Sequence, residues 1–167
     1  MTTSRSIPAW WGRTNRQQPV AAAAKKRGGG QALGRSRGGL TTKIHMAVDG
    51  AGRPLKLILT PGQRGDAPIA ACLLKGLAPK RVLADKAYDA DHLRALIAEM
   101  GAEAVIPCNP TRKRQIPYDF EAYEQRNLIE RCFNKLKHFR RISTRYDRHK
   151  ASFHAFVCIA AALIWMR

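Results

Sequence analysis

No acidic residue occurs before Asp49, and the chain of 167 residues holds 12 Asp and Glu against 30 Lys and Arg, a formal net charge of +18. Such an excess favours a polyanionic partner. Paired cysteines are missing as well. Cys72, Cys108, Cys132 and Cys158 stand singly, with no CxxC and no Cys/His cluster. That argues against a structural zinc site and fits reduced thiols in a cytoplasmic protein. The N-terminus has no continuous apolar run of the kind a secretory signal needs. The apolar tail from Phe153 to Met166 is too short to span a bilayer. No basic amphipathic helix stands apart from the fold signals, so nucleic acid is preferred to a membrane surface as the partner. A basic ribosomal-type protein would show the same balance, and charge alone does not separate an enzyme from a binder.

What is present reads as one domain with enough apolar residues, 45%, to bury a core. Residues 1–30 differ from the rest. They carry Trp10-Trp11, a Gln/Pro stretch, Ala21 to Ala24 and the run Lys25-Lys26-Arg27-Gly28-Gly29-Gly30, with neither a helical nor a strand period. They read as a disordered basic arm that touches DNA phosphates. The texture changes at Gln31. Gly34 to Gly39 is a flexible basic loop carrying Arg35 and Arg37, and Thr41 to Val48 is a strand. The turn Asp49 to Gly52 and a second strand, Leu55 to Thr60, complete a hairpin. Asp66 reads as the N-cap of a helix from Ala67 to Gly76. Arg81 to Ala84 is a short buried strand ending at Asp85. A helix from Ala90 to Met100 is closed by Gly101, and Val105-Ile106 ends another strand. Asn109 to Pro117 is a basic loop with Arg112, Lys113 and Arg114. A helix begins near Asp119, and Arg140 to Arg148 is a basic connection. The final helix, Ala151 to Met166, is apolar almost all round and is expected at the centre of the core. This order predicts a mixed α/β domain with helices against a sheet.

The stretch from Tyr123 to Lys137 contains no Pro or Gly and predicts one helix. At about 100° per residue, Tyr123, Arg126, Glu130 and Lys137 fall on one stripe, while Leu128, Ile129, Cys132, Leu136 and Phe139 gather on another face. One carboxylate is thus presented among two cations and a phenol, an arrangement suited to a metal-binding acid flanked by phosphate-binding groups. An ordinary amphipathic helix with spaced ion pairs accounts for the same spacing. Asp85, at the carboxyl end of a strand, stands where open α/β sheets bind ligands, and it also reads as a loop acid or helix cap. Together, Asp85 and Glu130 could hold Mg²⁺, with water and phosphate completing the shell.

These residues carry a resemblance. Tyr123, Arg126, Glu130 and Lys137 match without a gap the Tyr-x2-Arg-x3-Glu-x6-Lys signature of DDE transposases of bacterial insertion sequences. The block Ala84 to Asp89 resembles the family's segment around its second catalytic Asp. Gly34 to His45 and Phe139 to Asp147 resemble further family text, so the likeness runs from about Gln31 to Arg167. It implies a ribonuclease H-like mixed sheet flanked by helices, with the first strand missing or degenerate, and a catalytic domain over 31–167. It implies metal-dependent DNA cleavage and strand transfer at insertion-sequence ends. Asp85 and Glu130 would be the catalytic, metal-binding acids for Mg²⁺ or Mn²⁺. Tyr123, Arg126 and Lys137 would hold DNA, together with Arg35, Arg37, Arg112, Lys113, Arg140 and Arg141. The implied partners are double-stranded DNA and further copies of the chain assembled on it, with no membrane and no small-molecule substrate. The chain departs from the pattern at one place. The family's first Asp precedes the Gly-Arg-Ser-Arg-Gly-Gly block, where this chain has no acid, and Asp49 sits in a turn after it. Residues 1–30 are therefore expected to derive from a different reading frame, joined to an upstream frame by ribosomal frameshifting or left as a decayed remnant, so that the chain alone is incomplete or inactive; the alternative is a non-catalytic basic DNA binder or inhibitor derived from a transposase.

Overall fold

Thr41 to Val48 is β-branched or apolar at most positions, and it lies within the longest strand whose side chains can be followed. The computed structural model describes residues 7–17, 31–36 and 39–166, with the backbone alone at 7–17 and Ser36. The strands are β1 (Ile7–Gln17), β2 (Gly34–Ser36), β3 (Gly39–Val48), β4 (Pro54–Pro61), β5 (Pro79–Leu83) and β6 (Glu103–Val105). The helices are α1 (Ala67–Leu74), α2 (Asp91–Glu99), α3 (Phe120–Glu124), α4 (Asn127–Lys137), α5 (Arg140–Ser143) and α6 (Lys150–Trp165).

All six strands join one sheet. β1 runs antiparallel to β3, with Trp10 opposite Val48, and parallel to β5, with Trp10 opposite Leu83. β5 pairs parallel with β6, Leu83 opposite Val105. On the far side β4 pairs antiparallel with β3, Ile44 opposite Leu59, and β2 extends that edge, Gly34 opposite Thr41. The order β4-β3-β1-β5-β6 is a mixed sheet.

The strand β1 corrects the reading of residues 1–30 as a disordered arm with the first strand missing or degenerate. Ile7–Gln17 pairs on both edges, to β3 and to β5. Two backbone ladders do not require an alternating side-chain pattern, which is why the period gave no warning of a strand. The remainder of that segment, 1–6 and 18–30, lies outside the described residues, as does Arg37.

Side chains on the two faces feed separate cores, as the period of two in a strand requires. Leu83 and Val105 join Ile44, Met46 and Val48 under α4, α5 and α6, with Ile129, Phe133, Leu136, Phe153 and Val157. Val82, Ala84 and Ile106 face the other way, into Ile69, Leu73, Tyr88, Leu93 and Ile97 of the α1–α2 side. The hairpin turn is organised by Asp49. Its Oδ1 accepts from the amides of Ala51 and Arg53, both at 2.9 Å, and Arg53 pairs with its other oxygen at 2.6 Å.

Two further expectations need correction. Asp66 stands at the N-cap position of α1 but makes no capping hydrogen bond; its carboxylate turns to Lys43 Nζ, 3.1 Å away across the sheet face. The last helix is not surrounded by core. It buries Phe153, Val157, Ala160, Ala161 and Ile164, while Ile159 and Leu163 are 59% and 42% exposed. Its apolar composition is wider than the stripe one sheet face can cover. Arg145, fully buried, closes the core edge: it lies 5.0 Å over the Phe153 ring and donates to Thr42 Oγ1 and to the carbonyls of Gln31 and Asp147. Burial pulls its guanidinium below the ordinary value, and the ring of oxygens keeps the buried cation hydrogen-bonded. Among the described residues no helix is long and apolar enough to cross a membrane.

Candidate functional site

Asp85 follows β5 at the carboxyl edge of the sheet. Its Oδ1 accepts from the Ala87 amide at 2.8 Å and so caps the short 3₁₀ turn Lys86–Tyr88. Leu83 faces the α4 core, and Asp85, two residues on, has the same parity. The register Trp10 opposite Leu83 brings Gly12 alongside Asp85 when continued by two residues. No residue of β1 is Asp or Glu. Asp49 does not stand in for one, since its carboxylate is held in the hairpin turn by Arg53.

The signature stretch is not one helix. α3 stops at Glu124, Gln125 and Arg126 form a turn, and α4 starts at Asn127. Gln125 and Arg126 keep right-handed dihedrals, with bonds from the Arg126 amide to Tyr123 O at 2.9 Å and from Ile129 to Arg126 O at 3.2 Å. This is a local tightening to i→i+3 bonding, which eclipses side chains three apart. Its effect falls on the signature residues. The Arg126 guanidinium carbon sits 5.5 Å from the Tyr123 ring centroid, and its Nη2 donates to Glu130 Oε1 at 2.6 Å. Tyr123 also meets Tyr118 edge-on at 5.6 Å. Burial raises the Tyr123 phenol above its ordinary pKa. Arg126 opposes that rise and the negative charge of Asp85 adds to it, so Asp85 lies within electrostatic reach of this row.

Arg126 therefore links Tyr123 and Glu130. Among the described residues no hydrogen bond or ion pair joins Asp85 to Glu130 directly. Lys137 stands apart at the end of α4, exposed, donating to Asn134 Oδ1 at 3.2 Å. α4 itself is anchored by Ile129, Cys132, Phe133 and Leu136, and burial pushes the Cys132 thiol up to about 12. That thiol is a core group and no nucleophile at neutral pH.

The remaining cations divide by what they already hold. Arg35 on β2, Lys113, Arg114 and Arg140 are exposed. Arg141 pairs with Asp147 at 2.8 Å and lies over the Phe156 ring. Arg112 is committed to two carboxylates, Asp89 at 3.0 Å and Asp91 at 2.6 Å.

The residue that sequence reasoning passed over is Asp89, whose side chain has no exposed surface. Oδ1 accepts from Arg94 at 2.8 Å and Arg112 at 3.1 Å; Oδ2 accepts from the Asn109 amide at 2.7 Å and again from Arg112 at 3.0 Å. Burial alone would raise its carboxyl. The bonds from Arg112, Asn109 and Arg94 outweigh that and hold it below the ordinary carboxylate value. Two of these partners lie 20 and 23 residues away in sequence, too far for any local pattern to signal.

Residues 13–165 match the family model described as Transposase DDE domain. A Brucella ovis protein described as a putative transposase for insertion sequence element IS6501 is 48% identical over 130 residues, 77% of this chain and all of the relative. A Burkholderia cepacia protein described as a putative transposase for insertion sequence element IS402 is 29% identical over 135 residues, 74% of this chain and 62% of the relative.

Proposed function

This chain belongs to the transposase DDE-domain family, and on that premise we propose that it binds double-stranded DNA at insertion-sequence ends through a ribonuclease H-like domain. In this reading Asp85 and Glu130 are the two acids it brings to metal-dependent cleavage and strand transfer. The observation that carries the reading is the row Tyr123–Arg126–Glu130, in which one guanidinium spans a ring at 5.5 Å and a carboxylate at 2.6 Å.

The donor chemistry fits a hard divalent cation, Mg²⁺ or Mn²⁺, which takes carboxylate oxygens and keeps waters for the rest of its shell. Asp85 and Glu130 would be its protein ligands. A bound ion of this kind neutralises charge on the scissile phosphate and activates the attacking oxygen. Arg126 fixes the Glu130 rotamer, and Tyr123 backs Arg126, so the acid is oriented before DNA arrives. Lys137, Arg35, Arg140 and the exposed pair Lys113 and Arg114 supply phosphate contacts on the DNA track. Arg37, outside the described residues, is proposed as a DNA contact from its sequence context alone. Among the described residues no group of three or more His, Cys, Asp or Glu is gathered as a ligand set, and β1 carries no acid. Two carboxylates hold metal less firmly than three, so cleavage by the chain alone is weak.

That same shortage favours a second reading, a DNA binder derived from a transposase and without catalysis. Nicking of a supercoiled plasmid in Mn²⁺ separates the two. The catalytic reading predicts slow nicking that Glu130→Gln abolishes while DNA binding persists, and faster nicking by Gly12→Asp, which returns a carboxylate to the β1 position alongside Asp85. Binding with no nicking by any of the three proteins selects the binder. Nicking untouched by Glu130→Gln removes the proposed role of that acid.

A further inference from the structure

The loop between β6 and α3 is pinned at three places. Near its start and end, the Ile116 amide donates to Cys108 Sγ at 3.0 Å. In its middle, Arg112 reaches back to Asp89, and the Asn109 amide joins the same carboxylate. At its end, Tyr118 rests edge-on against Tyr123. One anchor thus lies four residues after Asp85, and the other on the ring that backs Arg126. The loop borders both arms of the candidate site.

We propose that Asp89 is a positioning residue for DNA binding: through Arg112 it sets the loop so that Lys113 and Arg114 face a phosphate backbone. The proposal rests on the reading that this domain binds DNA. Of the three consecutive cations, Arg112 is spent inside the protein on Asp89 and Asp91, whereas Lys113 and Arg114 are exposed. Arg112 is therefore a strut and its neighbours are the contacts. A guanidinium suits the strut, because its planar fork fills both oxygens of one carboxylate and still reaches a second. Asp89 spends its negative charge on a rigid basic loop, and a preorganised loop gives up less conformational freedom when DNA binds.

The proposal makes a prediction opposite in sign to simple electrostatics. Asp89→Asn raises the formal net charge above +18 by one, so a charge-only account has it bind DNA more tightly. Loss of loop position has it bind less tightly. The experiment measures affinity for a labelled duplex of arbitrary sequence from about 50 to 200 mM salt, the range over which phosphate contacts are read as a slope. The proteins are the full chain, Asp89→Asn, Arg112→Lys, Lys113→Ala/Arg114→Ala, and that double variant combined with Asp89→Asn. Lys113→Ala/Arg114→Ala is expected to weaken binding roughly tenfold at the low-salt end and to flatten the salt slope by about two units. Asp89→Asn and Arg112→Lys should each reproduce much of that loss and that flattening, Arg112→Lys without any change of net charge. Adding Asp89→Asn to the double variant should cost nothing more. Thermal unfolding of each protein checks that the fold persists, and general destabilisation would lower the binding fraction without changing the slope. Should Asp89→Asn fail to fold, Arg112→Lys decides alone.

The proposal is overturned if Asp89→Asn and Arg112→Lys bind as well as the parent or better. It is overturned equally if the parent binds but Lys113→Ala/Arg114→Ala leaves affinity and slope intact. Failure of the parent itself to bind, or a flat salt response, instead refutes the underlying DNA-binding reading.

Discussion

The Asp89 carboxylate is the acid whose hydrogen bonds bear most on stability at low pH. Its carboxyl is held below the ordinary value by Arg112, Asn109 and Arg94 in spite of burial. A carboxyl with a lowered folded pKa stabilises the fold fully above its unfolded pKa of about 3.9, and the contribution fades as pH falls through the lower folded value. Urea midpoints measured between about pH 6 and pH 3 should therefore fall more steeply for the parent than for Asp89→Asn, with the two curves converging at the acid end. Parallel curves would show that the carboxylate adds no pH-dependent stability. Residue roles were only partly legible beforehand. Asp49 could be assigned to its turn from Asp-Gly-Ala-Gly alone, because every partner lies within four positions. Arg112 could not be told from Lys113 and Arg114. All three look alike in sequence, and the partners that single out Arg112, Asp89 and Asp91, arrive from another element. Asp66 holds its expected N-cap position, but its carboxylate does not cap, for the same reason: Lys43 takes it across 23 positions.

Among the elements, those with a strong local period were readable and those fixed by pairing were not. β3, β4, α2 and α6 fall within a residue or two of their expected bounds, because alternation, Gly101 and the long apolar run mark them. The single signature helix was wrong, since the turn at Gln125 and Arg126 contains no breaker and differs from a helix only by shorter-range bonding. β1 was missed altogether. It lies between β3 and β5, so a domain taken to begin at 31 would leave their facing edges unpaired. Buried backbone groups without partners cost about 1–3 kcal/mol each, and several at once exceed the usual stability margin. The chain beginning at Gln31 should accordingly lose its cooperative thermal transition in circular dichroism. A transition equal to that of the full chain would mean β1 is dispensable.

For the whole molecule, charge and fold point the same way. A net charge of +18 would supply long-range attraction in the proposed DNA binding, and family membership supplies the chemistry to look for. The candidate site was legible in outline, because a helix spacing and a strand end can each be read from residues a few positions apart. Whether they approach one another is a tertiary matter that no local spacing states, and the shared site remains the proposal that the Mn²⁺ experiment tests. Charge could not reveal which cations are presented and which are spent inside the fold. The most direct test is Mn²⁺ binding to the full chain, Asp85→Asn, Glu130→Gln and the double variant, followed by the electron paramagnetic resonance of the free ion. If the two acids share an ion, either single substitution removes the same Mn²⁺ site and the double removes no more. Undiminished binding in both single variants, or losses that add, would contradict the shared site on which the catalytic account stands.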